Sequence, residues 1–361
     1  MSKVKNQHYV PQFYLKNFAV NDYIYVFDKT LGTQLSMKGI NTKNIASERY
    51  FYDLPIDLLP KELQDKVDIQ FVEKSLSKIE ADFHQALNNI ISRYTLPISE
   101  SIQSVTAISE DEKLDLSMFL AIQDTRTRDF RNSTLEAEKK GVRELINRFG
   151  KKAKPLIEKE FDYFKVGKIG KKKKGKERIF ELLIDEKRRE KIAQYEHIKH
   201  LIDLDYIREL AKILTRHIWF IGVNRSSIPL YTSDNPLVRK SWKREHFFSN
   251  TGFASEGIEI AFPITPKLLL ILCERGFHRY AEIFEQKYVD LQRENVKYYN
   301  RLQVLHGLLN PLEIFGIIQA IAYFWLGDRN NRLMLFVPCS EATRTKKQPQ
   351  RVEQTIELII K

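Results

Sequence analysis

Between residues 69 and 90 apolar side chains recur at helical spacing: Ile69, Val72, Leu76, Ile79, Phe83, Leu87 and Ile90. Intervals of three and four predict one long amphipathic helix with its stripe turned to a core. A second helix is expected after the capping-type "SEDE" (109–112), running through "LDLSMFLAIQDTRTRDF" toward Phe149. Charged helical segments are expected at about 155–165 and 177–216.

Outside this region the period falls to two. "YIYVFD" (23–28) reads as a strand, with "TQLSMKG" as its return. After residue 217, "HIWFIGV", "IPLYTSD", "GIEIAFPIT" and "KLLLILC" are short apolar runs bounded by turn residues, hence strands. "YAEIFEQKYVDLQRENVKYYN" reads as a helix, "LQVLHG" as a strand, "NPLEIFGIIQAIAYFW" as a helix and "RLMLFVP" as a last strand. Strands toward both ends with helices between predict an α+β fold, a mixed sheet built from N- and C-terminal strands with a central helical lobe at about 62–216. The expected organisation is a single domain over 1–340 followed by a polar tail, 341–361.

Composition narrows the class. With 43% hydrophobic and 11% aromatic residues in 361, the chain buries a sizeable core. Cys273 and Cys339 are the two cysteines and have no zinc-type or CxxC spacing. The opening "MSKVKNQHYV" lacks the apolar run of a signal peptide, and "LEIFGIIQAIAYFWL" is too short to span a bilayer. A cytoplasmic location and no membrane partner are the expectation.

The net charge of +12 is compatible with a polyanionic partner. Residues 165–178, "KVGKIGKKKKGKER", hold eight basic residues against Glu177 and so supply +7 of it. Lys171, Lys172, Lys173 and Lys174 are the candidate nucleic-acid contacts. A solvated loop without a ligand is the plainer alternative, since the run has no aromatics for base stacking.

The chemistry-bearing stretch is "FLAIQDTRTRDF". Leu116, Phe119 and Leu120 predict a buried helix face, yet Gln123, Arg126 and Thr127 follow on nearly the same face before Phe130 restores it. Polar groups placed so must find internal partners or line a cavity. A structural ion pair to Arg126 is the strong alternative to a site. Glu73 and Glu80 share a face of the preceding helix, with Glu80 set between Ile79 and Phe83. "LYTSDNPLV" places Asp234 at a strand end, as a site residue or in an Asx-turn. In "NQHYVPQFYLKNF", Pro11 suits the first turn of a short helix whose Tyr14, Leu15 and Phe18 plug into a core. His8 is thereby fixed at the helix entrance, as a base, a metal ligand or a hydrogen-bonded core histidine.

"HYVPQFYLKNF", "IASERYFYD", "FLAIQDTRTRDFR", "YTSDNP" and "IAFPITPKLLLIL", in this order, resemble the family called domain of unknown function 4238. The resemblance implies that His8, Glu48, Glu80, Gln123, Arg126, Asp234, Pro236 and Asn295 match family motif positions. It implies no mechanism.

Two functions stay open on this reading. One is a nuclease-like or other phosphodiester-acting hydrolase, with His8, Glu80, Gln123, Arg126 and Asp234 as its catalytic set and a divalent metal open as cofactor. The other is a non-catalytic sensor or binding protein for an anionic ligand or partner. A phosphate loop, a dinucleotide fingerprint and a G-x-S-x-G elbow are missing, which sets aside kinase, dehydrogenase and α/β-hydrolase readings.

Overall fold

Runs of β-branched and aromatic residues near both ends fold as strands in the computed structural model, which describes residues 3–29, 31–95, 106–136, 148, 186–243, 251–305 and 334–337. The expected helices at 155–165 and 310–325, the lysine-rich stretch and the tail lie outside the described residues. In chain order the elements are β1 (Asn6–His8), α1 (Gln12–Lys16), β2 (Tyr23–Asp28), β3 (Thr33–Gln34), β4 (Ile40–Asn41), β5 (Ser47–Arg49), α2 (Lys61–Gln64), α3 (Phe71–Thr95) and α4 (Glu110–Thr125). After them come α5 (Glu186–Ile202), α6 (Leu204–Thr215), β6 (Ile218–Asn224), β7 (Thr232–Ser233), β8 (Val238–Ser241), β9 (Ile258–Pro263), β10 (Leu268–Cys273), β11 (Tyr288–Leu291), α7 (Arg293–Leu305) and β12 (Met334–Val337).

The fold is α+β. β12 inserts antiparallel between β2 and β7, so strands from the two ends of the chain share one sheet, extended by β3 and β4. A second sheet has the order β11-β6-β10-β9-β8 and is mixed, because β11 runs parallel to β6 while the other pairs are antiparallel. Contacts divide the chain into two units. One comprises Met1–Gln7, Glu48–Ile79 and Thr125–Leu204; the other His8–Ser47, Glu80–Asp124 and Asp205–Lys361.

β6, β9 and β10 are buried throughout, as strands covered on both faces must be. On one face Phe220, Ala261 and Ile271 pack with Val296 and Tyr299 of α7. On the other, the ring of Phe262 lies 4.8 Å from that of Tyr14 in α1 and 5.7 Å from that of Phe119 in α4. The expected plug is real: Tyr14, Leu15 and Phe18 are all fully buried.

The α3 stripe buries Val72, Leu76, Phe83, Leu87 and Ile90 as its spacing predicts. Ser109 and Glu112 close a reciprocal cap on α4: the Glu112 amide donates to Ser109 Oγ at 3.2 Å, and the Ser109 amide to Glu112 Oε2 at 2.8 Å.

Three expectations are corrected. "LQVL" is no strand but the last turn of α7, where Gln303 and Val304 fall on the buried face. Residues 280–300 are not one helix: a 3-10 turn (Arg279–Phe284) and β11 precede α7, because Tyr288–Leu291 pair with Ile221–Asn224. The helix of Gln123 does not run on toward Phe149 unbroken. It ends at Thr125, and helical backbone resumes at 128.

Candidate functional site

The break after α4 is where the apolar stripe turns polar. A helix end exposes carbonyls that need donors, and the first unit supplies them from side chains. The Tyr52 hydroxyl donates to the Arg126 carbonyl at 2.9 Å, and His197 Nε2 to that of Thr125 at 2.7 Å. Thr127 Oγ1 then accepts from the Phe130 amide at 3.2 Å and starts the next helical turn.

Arg131, one turn further, closes the cluster. Its Nη2 donates to the Phe51 carbonyl at 2.6 Å, its Nε to His197 Nδ1 at 3.1 Å, and its guanidinium lies 3.6 Å from the centre of the Phe51 ring. A guanidinium can only donate, so Nδ1 accepts and His197 is the neutral Nε2–H tautomer. Burial and the neighbouring Arg131 charge hold its pKa well below the usual histidine value. Burial likewise lowers Arg131 to about 10 and raises Tyr52 to about 12, the latter against the pull of Arg126. Arg128 reaches Glu48 Oε2 with Nη2 at 2.7 Å and Nε at 3.2 Å.

The backbone under this cluster is pinned by amides. Gln194 of α5 donates to the carbonyls of Tyr50 and Asp53 at 3.0 and 2.7 Å. Asp53 accepts from Gln7, Gln70 and Lys3 at 2.7–2.8 Å.

The second unit holds the other expected residues. Gln123 is fully buried and donates to the Tyr9 carbonyl at 3.1 Å, joining α4 to the segment of half-buried His8. Phe13 of α1 packs 5.0 Å from His84, one helical turn beyond Glu80, and 6.2 Å from Phe119. The Tyr14 hydroxyl meets Thr232 Oγ1 at 2.6 Å and the Pro263 carbonyl at 2.7 Å, which ties α1 to the strand leading into Asp234. The elements that carry His8, Glu80, Gln123 and Asp234 are thus brought together around α1. Arg126 belongs to the first unit.

The Asp234 loop is a fixed turn closed by its neighbours. Ser233 Oγ donates to the Asn235 carbonyl at 2.8 Å, and Gln303 of α7 bridges Ser233 Oγ and the Pro236 carbonyl, both at 2.8 Å. Asn235 and Asp234 are nearly buried. Asp124, next to Gln123, pairs with Arg239, whose guanidinium lies over the Phe253 ring at 4.2 Å. Asn295 accepts from the Gln292 amide at 3.0 Å and so serves as a cap of α7.

Sequence reasoning missed His197, Tyr52, Arg131 and Gln303. Arg131 was within reach, since it follows Arg128 in the helical segment that resumes after the break. His197 and Gln303 sit in charged helices with no local signal of burial. Lys171–Lys174 lie outside the described residues. Among the described residues no group of three His, Cys, Asp or Glu side chains gathers as a metal set would, and no helix is long and apolar enough to cross a membrane.

A family model described as protein of unknown function (DUF4238) matches residues 6–307. No curated protein and no solved structure matches the chain.

Proposed function

The chain belongs to the DUF4238 family of proteins of unknown function, and we propose that it recognises a phosphate-bearing anion at the Arg131 cluster. The observation that carries this is the Arg131 guanidinium, which is part-buried and makes no ion pair among the described residues; its partners there are a carbonyl, an imidazole and an aromatic face. The Glu48 carboxylate attracts Arg131 but pairs directly with Arg128, and a planar guanidinium fixed on one edge is suited to a phosphate oxygen pair on the other.

Calorimetric titration of the full chain with inorganic phosphate, pyrophosphate and a short single-stranded oligonucleotide tests it. Saturable, salt-sensitive binding is expected, weakened about tenfold or more by Arg131→Lys, which keeps the charge but not the fork. Absence of saturable binding, or equal affinity in the variant, ends the reading.

A second reading is phosphodiester hydrolysis by the second unit. The gathering of α3, α4 and β7 around α1 supports it, with His8 as base or metal ligand and Glu80 and Asp234 as carboxylates. Nuclease assays with and without magnesium or manganese, with His8→Ala and Asp234→Ala as controls, separate hydrolysis from binding alone.

A further inference from the structure

His197 of α5 is fully buried, and both of its ring nitrogens are engaged. Nε2 donates to the Thr125 carbonyl at 2.7 Å, and Nδ1 accepts from Arg131 Nε at 3.1 Å. The rings of Phe51, Tyr52 and Phe130 stand 5.6, 6.1 and 6.0 Å away. A neutral imidazole has a single ring lone pair, so a further proton must enter at Nδ1. There it meets the Arg131 N–H, donor against donor.

The surroundings explain why the imidazole stays neutral. Burial acts first, then the charges of Arg131, of His200 on the same helix and of Arg126; they outweigh the Thr125 carbonyl and hold the pKa well below the ordinary value. The carboxylates of the cluster act elsewhere. Glu48 attracts Arg131 while paired with Arg128, and Glu73 acts on Tyr52.

Arg131 is held along one edge. Besides the bond to His197, its Nη2 donates to the Phe51 carbonyl at 2.6 Å. Nη1 makes no hydrogen bond among the described residues, and the residue is part-exposed. One negative charge at that open end offsets the guanidinium. A second charge on the same group favours a proton on the imidazole behind it. Resting on the reading of this cluster as an anion site, we infer that it takes its ligand together with one solvent proton, carried on His197 Nδ1. It thereby prefers a doubly charged terminal phosphate to a singly charged phosphodiester. The ligand class is a phosphomonoester and not the interior of a nucleic-acid strand. Arg131 touches the ligand, and His197 acts through it as a positioning residue: its protonation releases Arg131 Nε as a further donor to the anion.

The experiment is calorimetric titration of the full chain with sodium sulfate at about pH 6, in two buffers of different ionisation heat. Sulfate is a tetrahedral dianion of fixed charge and stands for the monoester end; dimethyl phosphate stands for the diester. Sulfate should bind with proton uptake, read as a buffer-dependent heat, and about tenfold or more tighter than dimethyl phosphate, which should take up none. Its affinity should fall severalfold from about pH 5.5 to about pH 7.5. His197→Gln keeps an acceptor for Arg131 but no titrating group, so its sulfate binding should lose the dependence on buffer and pH. His200→Gln should retain the uptake. Sulfate that fails to bind overturns the inference, and if phosphate fails as well the anion reading ends with it. Heat independent of buffer, equal affinity for dimethyl phosphate, or uptake that survives in His197→Gln overturns the proton coupling while the anion reading stands. Should His197→Gln not fold, His200→Gln decides: uptake kept there supports His197, and uptake lost moves the proton to His200.

Discussion

Arg131 Nε donates to His197 Nδ1 across 3.1 Å, so the imidazole and the guanidinium share one proton that neither can double. Protonating His197 would set two cations face to face inside an aromatic box made by Phe51, Tyr52 and Phe130.

Stability should therefore fall in acid. The folded pKa of His197 lies below the unfolded value of about 6.5, so the unfolded chain takes the proton first as pH drops. Its contribution is complete above about 6.5 and declines as pH moves down toward the folded pKa. Thermal melts from about pH 7.5 to about pH 5 should show a falling midpoint for the wild type and a shallower fall for His197→Gln. His217, also lowered by burial, acts in the same direction, so the variant keeps some slope. Identical slopes would refute the assignment.

Tyr14→Phe removes one buried hydroxyl that serves both Thr232 and the Pro263 carbonyl. Two partners are left unsatisfied, and a loss of about 1–3 kcal/mol in urea unfolding is expected. A cycle with Thr232→Val should give a coupling of about 0.5 kcal/mol or more. An additive double variant would mean that the hydroxyl does not bind α1 to β7.

How much of this was readable follows from where each signal resides. The plug helix, the α3 stripe and the α4 cap rest on neighbours within a few residues, and periodicity reports those directly. β11 was lost inside an apparent helix because its pairing partner, β6, lies about seventy positions upstream, and no local pattern carries that information. Gln123 and Arg126 were rightly picked as polar residues on a buried face. The helix break between them was not, since Thr125–Thr127 contain no glycine or proline. What stabilises the break is donors from Tyr52 and His197, which only the tertiary fold brings there.

Gly222 in the middle of β6 has no room for a methyl group. A Cβ there would stand 2.8 Å from Leu291 Cδ1 and 2.9 Å from its Cγ. Gly222→Ala should cost about 1–3 kcal/mol by overpacking. In a Leu291→Ala background the cost should largely vanish, and a penalty that persists there would point to backbone strain instead.

The Asp234 turn offers the sharpest separation of position from chemistry. Gln303 is fully buried and holds the turn at both ends, through Ser233 Oγ and the Pro236 carbonyl, without belonging to the turn itself. Gln303→Ala deletes both contacts and should cost about 1–3 kcal/mol. Its distinctive effect is local: amide hydrogen exchange over 235–237 should quicken while exchange in β6 and β10 stays slow, because a turn can loosen without opening the sheet. If the sheet amides quicken equally, Gln303 supports the core as a whole, and the fixed geometry of Asp234 has another origin.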